Sequence, residues 1–183
     1  MKRIFQIVLA TACLLTPVSA ATLERLSMDD LIAKSTNIVR GTVTASWSAF
    51  TGSVIYTHYK IQVSEQFKGA GSGSVEIMVP GGTVKDLHQS ASGSPVLNKG
   101  DDCVFFLWTS KAGITWIMGL TQGLFALPSG SPAANATATR QPSRELMLDG
   151  ATGHPVKDSA LSLSLSDLRT RVAAYQAAQG GGK

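Results

Sequence analysis

Residues 37–69, NIVRGTVTASWSAFTGSVIYTHYKIQVSEQFKG, constrain the chain more than any other stretch. From Val39 the apolar positions alternate: Val39, Gly41, Val43, Ala45 and Trp47 against Arg40, Thr42, Thr44 and Ser46. A period of two is a strand with one buried face. On that alternation Trp47 faces the same way as Val43, into a core. Gly41 marks a bulge or a bend. Residues 48–53 read as a turn around Gly52. The next run, Val54 to Phe67, is rich in β-branched and aromatic residues. Ile55, Tyr59, Ile61, Val63 and Phe67 point one way, and Tyr56, His58, Lys60, Gln62 and Ser64 the other. The short connection predicts an antiparallel pair.

Further strand signals follow. Val75, Ile77 and Val79 alternate and stop at Pro80-Gly81-Gly82. Residues 83–100 are irregular, a long loop of the kind that carries function or disorder. Residues 101–109, DDCVFFLWT, are apolar on both sides and read as a buried central strand. Two shorter runs, ITWIMGL and LFALP, come after turns at Lys111-Ala112-Gly113 and Gln122-Gly123. Before the first strand, residues 23–35 predict a short helix. Ser27 is its N-cap, Asp29 and Asp30 lie in the first turn, and Leu26, Leu31 and Ile32 share a face. After Ser166, Leu168, Val172 and Tyr175 continue a stripe begun at Leu165 and predict a docked C-terminal helix.

These elements predict a mainly β fold, an OB-like barrel of five to six strands with short helices at both ends. A two-sheet β-sandwich fits the same spacing of strands and turns. The expected organisation is a signal peptide at 1–20 and a barrel with its N-terminal helix at 21–128. A Ser/Pro/Ala-rich linker or loop follows at 129–143. A hairpin and helix packed on the barrel occupy 144–179, and a tail 180–183.

The first twenty residues read as an export address. Lys2 and Arg3 precede an apolar run from Ile4 to Leu15, Pro17 breaks it, and Val18-Ser19-Ala20 suits a signal peptidase, with cleavage after Ala20 or else Ala21. The run is shorter than the about 20 residues that span a bilayer. Lipid attachment would use Cys13, but Ala10-Thr11-Ala12 matches a lipobox poorly. Cleavage would leave about 160 residues, enough for one core, in a secreted or periplasmic protein with no transmembrane segment.

Cleavage also changes charge and redox chemistry. The full chain has 16 Lys and Arg against 12 Asp and Glu, and removing Lys2 and Arg3 leaves 14 against 12. That balance gives no basis for binding nucleic acid. Of the two cysteines only Cys103 would remain, so no internal disulfide could form.

Catalytic patterns are scarce. There is no G-x-S-x-G, H-E-x-x-H or P-loop signature. The histidines, His58, His88 and His154, are scattered. No catalytic residue, metal site or cofactor is therefore assigned. Two enzymatic alternatives stay open: a small hydrolase with Cys103 as nucleophile beside His58 or His88, or a site built on Asp86 and His88. The strand context of Cys103 suits a small buried hydrophobe better. Trp47, Phe50, Tyr56 and His58 gather around the first hairpin and form the candidate partner-binding patch. Aromatic groups on such a barrel also suit sugars.

Residues 37–43 (NIVRGTV), Tyr59-Lys60-Ile61-Gln62-Val63, Phe67-Lys68-Gly69 and residues 99–107 (KGDDCVFFL) together resemble the layout of netrin-like domains, the group that includes the tissue inhibitors of metalloproteinases. The resemblance covers about residues 35–125 and implies a five-stranded OB-like barrel with a helix packed on it. Those inhibitors are cysteine-rich and place an N-terminal cysteine on the protease zinc. Here the expected mature N-terminus is Ala21-Thr22-Leu23, so that mechanism does not carry over. What the resemblance leaves is a contact surface at the first hairpin loop, residues 48–53. The Pro80-Gly81-Gly82 and Gln122-Gly123-Leu124-Phe125 turns also resemble exported bacterial proteins of unassigned activity. The functional expectation is an exported, non-enzymatic binding domain, for instance a regulator of an exported protein such as a protease. It would act through residues 48–53 and the 83–100 segment, with a carbohydrate- or envelope-binding module as an alternative. The expected partner is an exported or envelope protein.

Overall fold

The computed structural model describes residues 22–71, 73–128, 130 and 136–180. The export segment, its cleavage sites and Cys13 lie outside those residues. The fold is mainly β. Its centre is a long hairpin of β2 (Asn37–Thr51) and β3 (Val54–Lys68). The loop expected at 48–53 is shorter than read. Pairing continues to Thr51 and Val54, leaving Gly52 and Ser53 as the turn. Gly52 takes the positive φ that a two-residue hairpin requires at its first position.

Three register shifts break the alternation along this hairpin. Thr44 is skipped between the Val43–Ile61 and Ala45–Lys60 pairs, and its hydroxyl donates to the Lys60 carbonyl at 3.0 Å. An extra residue on one strand turns all later side chains to the opposite face. Val43 therefore points into the barrel while Trp47 points out, which corrects the inward reading of Trp47. Ser64 and Phe67 are skipped in the same way on β3. Phe67 consequently leaves the interior side and packs with the helices. Gly41 sits at one of these shifts. A Cβ there would come within 2.6 Å of both the Gln62 carbonyl oxygen and the Ile61 side chain.

A five-stranded ring closes around the hairpin. β4 (Ser74–Pro80) pairs antiparallel with β3, and β7 (Asp102–Thr109) pairs antiparallel with β2. β8 (Thr115–Ile117) completes the ring, parallel to β4 at Met78–Trp116 and antiparallel to β7. The order β7-β2-β3-β4-β8 is that of a small OB-type barrel. The other half of the same β7 edge pairs with β9 (Leu124–Ala126), and β10 (Thr137–Arg140) and β13 (Leu161–Ser164) extend the sheet from there. β10 lies within the stretch read as linker, so its residues 137–140 are a sheet strand rather than a tether.

β7 is buried on both faces because it divides two cores. Cys103, Phe105 and Leu107 join Val39, Val43, Tyr59, Ile61 and Ile77 inside the barrel. Val104 and Phe106 join Leu31, Ile32, Phe125 and Leu163 on the outside, under the helices. Within the 83–100 segment, β5 (Gly82–Val84) and β6 (Leu87–Gln89) form a small hairpin. Leu97 plugs the barrel, its amide donating to the Tyr59 hydroxyl at 3.4 Å.

The helices cover only part of the outer surface. Helix α1 (Met28–Lys34) starts at a capping box: the Ser27 hydroxyl accepts from the Asp30 amide, and the Asp30 carboxylate accepts from the Ser27 amide. Ser27→Ala is expected to lower stability by about 1 kcal/mol, read as a shift in the urea midpoint. Asp30 is held below its ordinary value, first by the Ser27 hydroxyl and then by the Ser27 amide. This cap therefore weakens as pH falls through the carboxylate range.

Helix α2 (Leu165–Gly180) begins at Leu165, where the Ser164 hydroxyl accepts from the Asp167 amide. Leu165, Leu168 and Val172 bury against the outer core. Lys68 ties both helices to β3. Its ammonium donates to the carbonyls of Ile32 and Ala33 at the end of α1 and lies 4.6 Å from the centre of the Tyr175 ring. Arg169 of α2 grips Glu65 with hydrogen bonds that include Nε to Oε1 at 2.6 Å and Nη2 to Oε2 at 3.0 Å. A short sheet joins β1 (Thr22–Glu24), parallel, to β11 (Leu146–Leu148), which pairs in turn with β12 (Pro155–Val156). Gln122, fully buried, bonds the Leu26 amide and the Glu24 carbonyl and holds the chain ahead of α1 in place.

Candidate functional site

Where the helices end, the barrel wall carries aromatic groups. On the outer face of β7, Val104 and Phe106 lie under the helices, and Trp108, next on that face, is 44% exposed. Trp108 pairs with Trp116 of β8, Trp116 with Met78 of β4, Met78 with His58 of β3, and His58 with Trp47 of β2. Directly paired residues on neighbouring strands share a face. These five side chains therefore form one lateral row around the outside of the barrel. At about 4.8 Å per strand the row runs for about 19 Å. It contains all three tryptophans of the chain.

Neighbouring groups hold the row rigid. The Trp47 and His58 rings stack, with centroids 5.3 Å apart and planes 9° from parallel. His58 Nδ1 lies 2.8 Å from Glu76 Oε1, which fixes the imidazole edge-on to β4. Tyr56 meets Trp116 edge to face at 5.4 Å. An open cleft beside Trp108 and Trp116 is lined by Lys34, Ile117, Met118 and Gly119.

Of the four residues singled out from the sequence, the structure brings Trp47, Tyr56 and His58 together. Phe50 does not join them. It pairs with Ile55, one position out of phase, and is exposed on the opposite face of the hairpin. The sequence does not single out Trp108, because residues 101–109 read as a buried strand, or Trp116, because nothing in ITWIMGL marks an exposed face. Their signal is the even-numbered parity of β7 continued past the helix cover, and that cover is visible only in the fold.

Cys103 and His58 lie on opposite sides of the barrel wall. Cys103 points into the barrel, whereas His58 lies on the outer row. Burial first, and then Asp101 and Asp102, push the Cys103 thiol up to about 12. It is a protonated, enclosed side chain at neutral pH. Asp86 sits exposed in the turn between β5 and β6. His88 Nδ1 lies 3.0 Å from the Thr83 hydroxyl. Among the described residues no three His, Cys, Asp or Glu side chains are grouped to hold a metal ion. Nor is any helix among them long and apolar enough to cross a membrane.

Comparison with protein-family models, with curated proteins and with solved structures found no match. Fold and site therefore define the molecule on their own terms: a mainly β protein built on a closed five-stranded ring, with a rigid aromatic row on the part of its wall that the helices leave open.

Proposed function

We propose that this chain is an exported, non-enzymatic interaction domain that docks an exported or envelope protein on its aromatic row. One observation carries the reading: the only three tryptophans share a single row with Met78 and His58 on the outer wall. Tryptophan, tyrosine and methionine are enriched at protein interfaces, and tryptophan and tyrosine dominate their hot spots. Export rests on the N-terminal segment and on the small residues ending at Ala20. Support for a netrin-like relationship comes from the ring order and from the helices packed on its outside. A protease regulator of that kind would here use the wall of the barrel, since the first hairpin has almost no loop.

A second reading, a polysaccharide-binding module, is favoured by the position of the row. It crosses the second and third barrel strands, the face on which OB-type barrels bind oligosaccharides.

Photo-crosslinking from positions 47 and 108 in cells tests the first reading, with Gln176 on the exposed side of α2 as control. One protein captured from both row positions and not from Gln176 is the expected result. Trp47→Ala and Trp116→Ala should each then weaken its binding at least tenfold. Equal capture from Gln176, or none from the row, would defeat the protein reading. Retention on insoluble envelope polysaccharide, lost in the same variants, would instead select the second.

A further inference from the structure

The helix side of the molecule holds a separate cleft of about 340 Å³. It lies between residues 25–28, the stretch leading into β13, and the first turns of α2. Three guanidinium groups line it: Arg25, Arg140 and Arg171. Of the two carboxylates beside them, Asp158 is committed to Arg140, with one oxygen 2.9 Å from Nη1 and the other 2.7 Å from Nη2. Asp167 is the other.

Arg140 is the unusual group. Its side chain is 4% exposed, yet its Nε is buried with no hydrogen-bond partner. A buried donor left unpaired carries its full desolvation cost. The pairing of β10 with β13 sets Arg140 opposite Leu161, which also lines the cleft. Arg171 meets Asp29 only at 3.5 Å, and both are well solvated. Arg25 acts on the Asp149 carboxylate beyond the cleft. The remaining wall sets Leu26, Met28, Leu161 and Leu163 beside Ser27, Ser159 and Ser162.

We propose that this cleft binds a small amphiphilic oxyanion, a carboxylate or phosphate monoester on a short apolar chain. The acidic group sits among Arg25, Arg140 and Arg171, and the chain lies against Leu26, Met28 and Leu161. The site is distinct from the aromatic row and does not depend on it.

The test is a ¹H–¹⁵N NMR titration of the purified chain, following the Arg140 Nε–Hε resonance. The probes are hexanoate, hexyl phosphate and inorganic phosphate. A saturable shift with at least one hexyl compound is expected, and the tighter of the two identifies the headgroup. Inorganic phosphate should bind about tenfold more weakly, because it lacks the apolar chain. Arg25→Gln and Arg171→Gln should each weaken binding about tenfold, and Asp167→Asn should tighten it. These three side chains lie at the cleft rim, so the fold should survive their replacement. Arg144→Gln, on an exposed arginine outside the cleft, should change nothing. The proposal is overturned if the Arg140 resonance stays fixed up to about 10 mM of both hexyl probes. It is also overturned if Arg144→Gln weakens binding as much as Arg171→Gln, or if inorganic phosphate binds as tightly as either hexyl compound.

Discussion

Asp158→Ala is expected to lower stability by about 3–5 kcal/mol, a large share of the 5–15 kcal/mol typical of a domain. Asp158 and Arg140 are each 4% exposed in their side chains and share two hydrogen bonds. The same carboxylate accepts from the Ser143 amide at 2.7 Å, and Arg140 donates to the Ser159 carbonyl at 3.1 Å. Removing the acid strands a buried cation and an amide together. Replacing both partners by apolar residues, as in Arg140→Met with Asp158→Leu, removes the stranded charge as well and should recover most of the loss.

The pH dependence has a defined sign. Burial alone would raise the Asp158 carboxyl, but the Arg140 guanidinium and the amides of Ser143 and Ser159 outweigh it and hold it below its ordinary 3.8. A depressed carboxylate stabilises the fold fully above the unfolded value, and the contribution is lost as pH falls through the folded one. Urea midpoints of wild type and Asp158→Ala should therefore differ most at neutral pH and converge below about pH 4. A neutral-pH difference under about 1 kcal/mol would mean that the pair is solvated like a surface ion pair.

Phe105→Ala and Phe106→Ala should each cost about 3–5 kcal/mol, although they are consecutive residues. Both are fully buried, but Phe105 fills the barrel and Phe106 packs under the helices, 5.6 Å from the Phe125 ring at the centroids. Side chains on opposite faces of one strand share few neighbours, so the two losses should come close to adding. The reporters should separate as well. Phe106→Ala loosens the seat of α1 and α2, and backbone amide exchange should rise there first. Phe105→Ala loosens the interior wall behind β3 and β4. If Phe106→Ala accelerated exchange equally inside the ring, the division into two cores would fail.

Much of this architecture is legible in residue order. The hairpin, the apolar β7 and the Ser27 capping box are local signals, each carried by period or by a hydrogen bond spanning three residues. The C-terminal stripe at Leu165, Leu168 and Val172 is local in the same way. The candidate site was only half legible. Tyr56 and His58 follow from alternation, but alternation alone turns Trp47 inward because nothing in the sequence marks Thr44 as a bulge. Phe50 is near them along the chain, whereas strand parity puts it on the other face. Trp108 looks like a core residue until the extent of helix cover is known, and Trp116 joins the row only through the pairing of β8 with β4 and β7. Arg140 lay in a stretch that reads as linker, and its partner Asp158 stands eighteen residues away in an irregular segment.

By itself the sequence determined the mainly β class, the central hairpin and the flanking helices, because each depends on patterns a few residues long. The tertiary structure alone decided which face of each strand is covered. Three bulges reset the parity of the hairpin, and ring closure brings β8 between β4 and β7. The helices then shelter one side of the barrel and leave the other bare. The aromatic row and the arginine cleft exist only through those long-range pairings.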